Sequence, residues 1–215
     1  MPLWWYEYTV AYRHNGASST FIYFLFIQNL LIMATAKTET QPYKVLLSKD
    51  NFEIRFYPAV TMATITSSAK SYKELGNSGF RKLAGYIFGG NQGGQKISMT
   101  TPVHMDINDT LSTMSFVMPS TYNPENLPKP DNQEVTIKTV PDEYVAAIKF
   151  GGYATDEDIR KNREKLKKAL NENGITFYGN FRFLGYNSPF RLLGRRNEII
   201  VSVKWDVRKK INTSK

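Results

Sequence analysis

The chain's whole stock of imidazole and thiol ligands is two histidines, His14 and His104, with no cysteine. Neutral imidazole is a good donor to iron, so His104, inside the strand-like run Ile97 to Ile107, is the candidate metal ligand. On an uninterrupted strand it shares a face with Ser98, Thr100, Pro102 and Asp106. That mostly polar set equally fits a solvent-facing or hydrogen-bonded histidine. The lack of cysteine removes disulfide scaffolds, thiolate catalysis, zinc ribbons and iron–sulfur clusters, and two histidines cannot build a multi-histidine metal site. The glycine-rich run Gly89 to Gly94, with Lys96 and Ser98 behind it, invites comparison with a phosphate loop. It fails because Gln95 stands where the lysine belongs, and because the run leads from a helix into a strand rather than the reverse. A helix end followed by a loop is the expectation there. No GxSxG elbow occurs, and Glu53, Asp106, Asp109 and Asp142 are scattered without a catalytic spacing, so no hydrolase is expected.

The elements that must position these residues repeat. Phe52 to Ile65 alternates in strand fashion and is broken at Tyr57-Pro58, which predicts a hairpin or a bulged strand. Eighty residues on, Val135 to Phe150 repeats the pattern around Pro141. A helical segment follows each copy. In the first, Tyr72, Leu75, Leu83 and Ile87 share a face and Gly89-Gly90 ends it; in the second, Thr155 and Asp158 cap a stripe of Ile159, Leu166 and Leu170 that stops at Gly174. Strands are expected again at Lys96 to Asp106 and Leu111 to Met118, then at Phe177 to Gly185 and Glu198 to Lys204. Paired strands around each helix predict an α+β domain, a distorted antiparallel β-barrel of two pseudo-repeated halves flanked by two α-helices. Met62, Met99, Met105, Met114 and Met118 lie in the first-half strands, where packing into the core is the default.

At 215 residues with 41% hydrophobic and 22% charged residues, the chain can bury a core and is neither disordered nor a polytopic membrane protein. The net charge of +9 lies outside residues 1 to 36, which hold only Arg13 and Glu7 as charges. A basic domain attracts polyanions, anionic bilayers or small molecules with carboxylates; the absence of a zinc finger, helix-turn-helix or ribonucleoprotein motif argues against nucleic acid.

Residues 1 to 36 read as a separate hydrophobic segment. The uncharged stretch 17 to 36, ASSTFIYFLFIQNLLIMATA, is long enough for a membrane-crossing helix, with Trp4, Trp5, Tyr6, Tyr8 and Tyr12 ahead of it. Three readings fit: a membrane anchor, a secretory signal cleaved after Ala34-Thr35-Ala36, or translation starting at Met33 with a cytoplasmic product. Residues 37 to 42 read as a linker, 43 to 205 as the domain and 206 to 215 as a basic tail.

The runs KISMTTPV (Lys96 to Val103), KFGGYATDED (Lys149 to Asp158) and YNSPFRLLGRRNEIIVSV (Tyr186 to Val203) resemble the hallmarks of the SOUL/haem-binding protein family, in order and in spacing. The resemblance covers roughly Tyr43 to Trp205 and implies a distorted barrel of two similar halves. It also implies binding of haem or a related tetrapyrrole in an apolar groove along the first helix, where Phe80, Arg81, Leu83 and Ala84 are the matching candidates. Apolar faces would cover the macrocycle while Arg81, Lys82 or another cation paired with the propionates. Gly76 and Ala84 stand near positions where animal relatives carry charge, and the family has no uniform axial histidine to support His104. Arg195, Arg196, Asn197 and Glu198 match the closing motif and are expected to form a charged corner. The implied role is storage, buffering or transfer; the alternatives are a tetrapyrrole-modifying or iron-releasing enzyme and a protein or lipid interaction module.

Overall fold

Proline lacks the N–H that a sheet ladder needs, so Pro58 and Pro141 each cut an alternating run into two strands. In the computed structural model, which describes residues 38–108, 110–188 and 191–206, the first half comprises β1 (Glu39–Thr40), β2 (Lys44–Ser48), β3 (Glu53–Tyr57), β4 (Val60–Ser67), α1 (Tyr72–Ile87), β5 (Thr100–Thr101), β6 (Val103–Asp106) and β7 (Ser112–Val117). The second comprises β8 (Thr136–Val140), β9 (Glu143–Phe150), α2 (Asp156–Glu172), β10 (Phe177–Gly185) and β11 (Asn197–Val203).

Nine strands form one curled antiparallel sheet in the order β2-β3-β9-β11-β10-β6-β7-β4-β8. The order is the signature of the repeat. From the central β10·β6 pair, one direction runs β10, β11, β9, β3 and the other β6, β7, β4, β8, so each strand meets the counterpart of its partner. The match extends to residues: β4 and β9 are equally long with the same burial profile, and Val60 pairs with Val140 as Glu143 pairs with Tyr57. β3 and β4 are therefore not a hairpin. They part at Pro58, β3 pairing with β2 and β9 and β4 with β7 and β8.

The run expected as one strand from Lys96 to Asp106 is also divided. A cis peptide joins Thr101 to Pro102; β5 before it pairs in parallel with β1, while β6 after it enters the main sheet. The segment expected as a linker thus contains β1, and its Gln41 is buried.

Both helices lie on one face. Ser71 caps α1 by accepting from the Glu74 N–H; Thr155 and Asp158 form a reciprocal capping box on α2. Leu75, Leu83 and Ile87 of α1 and Ile159, Leu166 and Leu170 of α2 pack with Ile65, Met114, Phe116, Ile148 and Val201. Met62, Met105, Met114 and Met118 are buried as expected of core residues. Gly79 lets α1 approach closely, since a Cβ there would sit 3.0 Å from Ile65 Cδ1 and 3.3 Å from Met114 Sδ. Gly79→Leu should therefore lift the helix and cost about 1–3 kcal/mol, read as a lower urea midpoint with α2 capping unaffected.

The sheet's other face is buried too, because the curl folds it inward. Tyr57, Val145, Ala147, Leu184 and Ile200 form a second, smaller core there, among charged groups.

Candidate functional site

Helical spacing places Lys73, Gly76, Phe80 and Ala84 in one stripe along the flank of α1 that looks across β7 toward β6. Phe80 is 40% exposed and its ring meets Phe116 of β7 edge-on, with centroids 5.3 Å apart. Gly76 lies over Met105 of β6, whose Cε is 3.8 Å from where a Cβ would stand. Arg81 is exposed beside this stripe, and Phe88, 66% exposed, follows at the helix end. Leu83 departs from the expectation. It is turned onto the sheet and fully buried, so it anchors the helix rather than lining a ligand surface. Lys82 lies on the opposite flank, bound to Glu134 at 2.7 Å, close to the side on which Tyr86 donates to the Pro128 carbonyl. Of the cations named from sequence, Arg81 remains on hand, and Lys73 joins it.

The register adds a row of residues that the sequence alone does not show. Phe116, under Phe80, pairs with Val103, and Val103 pairs with Gly185. The chain leaves the sheet beyond Gly185 in that same row, toward a turn bearing Leu192 and Leu193, 76% and 84% exposed. Arg195 braces the turn by donating from Nη1 to the Ser188 and Arg191 carbonyls, and its guanidinium lies 4.2 Å from the Tyr153 ring. Two adjacent leucines between Arg191 and Gly194 are the signal the sequence offers here. Exposed apolar side chains with cations beside them in sequence, Phe80 with Arg81 and the leucine pair with Arg191, are the features that suit a flat ligand with anionic edge groups.

His104 is not part of this surface. Met105 points to α1, so its neighbour His104 points to the inward face, where it pairs across the ladder with Leu184 and Ser115. It is 6% exposed, and its Nε2–H donates to Gln41 Oε1 at 2.7 Å. The hydrogen-bonded alternative holds, and the solvent-facing one does not, because the curl buries the polar side of β6. Burial first, and the charge of Arg182 second, push its pKa down to about 3 from 6.5. The stability that depends on the neutral ring is present above about pH 6.5 and is lost as pH falls toward 3. We expect acid unfolding to begin earlier in the native protein than in His104→Gln, measured by circular dichroism between pH 7 and 3. Among the described residues no cluster of three metal-ligating side chains occurs.

The inward face also holds a charge network. Arg55 and Glu198, both fully buried, form a two-pronged pair at 2.7 and 3.0 Å. Arg196 binds the same carboxylate at 2.8 Å, Tyr186 donates to it, and Arg55 reaches Tyr57 and Glu53. Burial alone would depress the Arg55 pKa, but Glu198 more than offsets it and holds the group above the ordinary arginine value. Asn197 donates to the Gly152 carbonyl, which ties the corner to the β9–α2 loop. The glycine run after α1 is braced by Asn91, whose amide donates to the Tyr86 and Gln95 carbonyls and accepts from Gln95 N–H.

The chain is thus an α+β half-barrel of two repeated units with exposed apolar and cationic side chains on its first helix. The SOUL heme-binding protein family model matches residues 38–202, and the chain belongs to that family. Heme-binding protein 2 of Mus musculus is 32% identical over 158 residues, covering 69% of this chain and 76% of the relative. Heme-binding protein 1 of Xenopus laevis is 29% identical over 156 residues, covering 69% and 81%. The fold is shared with the crystal structure of the EcmrR C-terminal domain, at a TM-score of 0.58 and 9% identity over 76% of this chain and 99% of that one.

Proposed function

We propose that this protein binds haem or a closely related tetrapyrrole, reversibly and without catalysis, between the Phe80 flank of α1 and the Leu192-Leu193 turn. The observation that carries the reading is this pairing of exposed apolar side chains with unburied cations in a chain of the SOUL family. The macrocycle would cover Phe80, Ala84, Leu192 and Leu193, while Lys73, Arg81 or Arg191 paired with the propionates. On this reading His104 does not ligate the iron, since its Nε2 is hydrogen-bonded to Gln41 on the inward face. A ligand held at the surface by apolar contact and charge is readily released, which suits storage, buffering or transfer.

Titration with haemin, followed at the Soret band, should saturate at one haem per chain with a Kd in the micromolar range or tighter, about 8 kcal/mol. No saturable change would reject the proposal. His104→Ala should leave the Soret maximum unchanged. Arg81→Glu should weaken binding several-fold more than Lys168→Glu, on exposed α2, because a contact charge acts at close range whereas a distant one is screened.

Residues 17 to 36 lie outside the described residues, and among the described residues no helix is long and apolar enough to cross a membrane. We further propose that this stretch anchors the protein to a membrane, its backbone satisfied within a helix. Removing residues 1 to 36 should then release a domain that still binds haemin. An intact product recovered in the soluble fraction would overturn the anchor.

A further inference from the structure

The two halves differ at one matched pair of positions, and the difference leaves a hole. In the second half, Phe56 of β3 pairs with Tyr144 of β9, their ring centroids 5.3 Å apart. The equivalent pair in the first half is Thr139 of β8 and Thr61 of β4: the next-to-last residue of one strand against the second residue of the other, as with Phe56 and Tyr144. Two threonines replace two aromatic rings, and both line a pocket of about 390 Å³. Its other walls include Pro58, Met118, Tyr122 and Glu39 of β1. A volume of this size accommodates a small ligand.

The charge of the lining is opposite to that of the protein. On a chain of net charge +9, the one charged side chain among the described residues lining this pocket is the carboxylate of Glu39. Its Oε1 accepts from the Ser120 N–H at 3.0 Å, which fixes the carboxylate at the pocket wall. The second oxygen has no hydrogen-bond partner among the described residues. Tyr122 and the proline rings offer flat apolar surface on the remaining sides.

We propose that this pocket binds a two-ring aromatic ammonium compound, its rings filling the volume that Phe56 and Tyr144 fill in the other half and its ammonium paired with Glu39. The site is separate from the tetrapyrrole surface and unsuited to it, since a propionate would face a carboxylate.

The test is titration of the full chain with tryptamine, indole and indole-3-acetate, three probes that share a ring system and differ in charge. Calorimetry should rank tryptamine above indole by up to about fivefold, the worth of one exposed ion pair, with indole-3-acetate weakest. Glu39→Gln should erase the preference of tryptamine over indole while leaving indole binding unchanged. Thr61→Tyr with Thr139→Phe rebuilds the aromatic pair and should abolish binding of all three; should that variant not fold, Glu39→Gln decides alone. Prior saturation with haemin should leave tryptamine affinity unchanged, which separates this site from the tetrapyrrole proposal. No binding at millimolar tryptamine, equal affinity for the three probes, or a folded double variant that binds as the native chain does would each overturn it.

Discussion

Glu198→Ala is expected to lower the stability of the folded chain by about 3 kcal/mol, because it leaves the buried guanidinium of Arg55 with Glu53 as its one remaining carboxylate and both Nη donors without theirs. Arg55 is fully buried and draws its charge balance from Glu198 through two hydrogen bonds, and Arg196 and Tyr186 converge on the same carboxylate. The loss therefore exceeds that of any exposed pair, such as Arg160 with Glu157 on α2. Urea denaturation should show a large fall in midpoint for Glu198→Ala and for Arg55→Ala separately. The double variant Arg55→Met, Glu198→Leu should recover much of the loss, since removing both charges removes the desolvation cost along with the attraction. A small effect of Glu198→Ala would mean that water reaches the inward face.

The second large effect concerns the ligand surface. Phe80→Ser should weaken haemin binding about tenfold, which corresponds to about 1.4 kcal/mol, within the range for removing one half-exposed aromatic ring from an apolar contact. Leu192→Ser with Leu193→Ser should weaken it by a similar factor. The leucine changes leave the core untouched, because those side chains face solvent, so their thermal midpoint should stay near that of the native chain, whereas Phe80→Ser also removes the ring that packs on Phe116 and should lower it modestly. Ala84→Leu adds apolar surface to the same flank and should tighten binding or leave it unchanged. Loss of haemin binding without loss of stability separates a surface role from a structural one. If Phe80→Ser and the double leucine variant bind haemin as the native chain does, the macrocycle lies elsewhere.

Much of the architecture is written in local signals. Pro58 and Pro141 mark the same corner in each half, Ser71 and Thr155 start the helices, and the glycines after Ile87 and Asn173 end them. Those signals depend on backbone chemistry within a few residues, so a single sequence carries them. Partner choice between strands does not. Nothing near Tyr57 shows that β3 and β4 part company, because the decision rests on β9 and β7, whose partners are far along the chain.

The site shows the same division. The helix phase separates Phe80 from Leu83, but deciding which phase faces water requires knowing where the sheet lies. Period-two alternation puts His104 on the face opposite Met105, yet it says nothing of solvent when a sheet curls and buries both sides. Its partner Gln41 is 63 residues away, in a segment whose composition reads as a linker. Leu192 and Leu193 acquire meaning only through the Gly185, Val103 and Phe116 row, a relation of register.

Amide hydrogen exchange with and without haemin tests the central claim most directly. Binding between α1 and the turn should protect amides in residues 73–88 and 191–195 while leaving the Glu39 to Gln41 segment and the Pro119 to Pro124 loop unchanged. Protection centred on the latter pair of segments, or protection on neither side, would contradict the account.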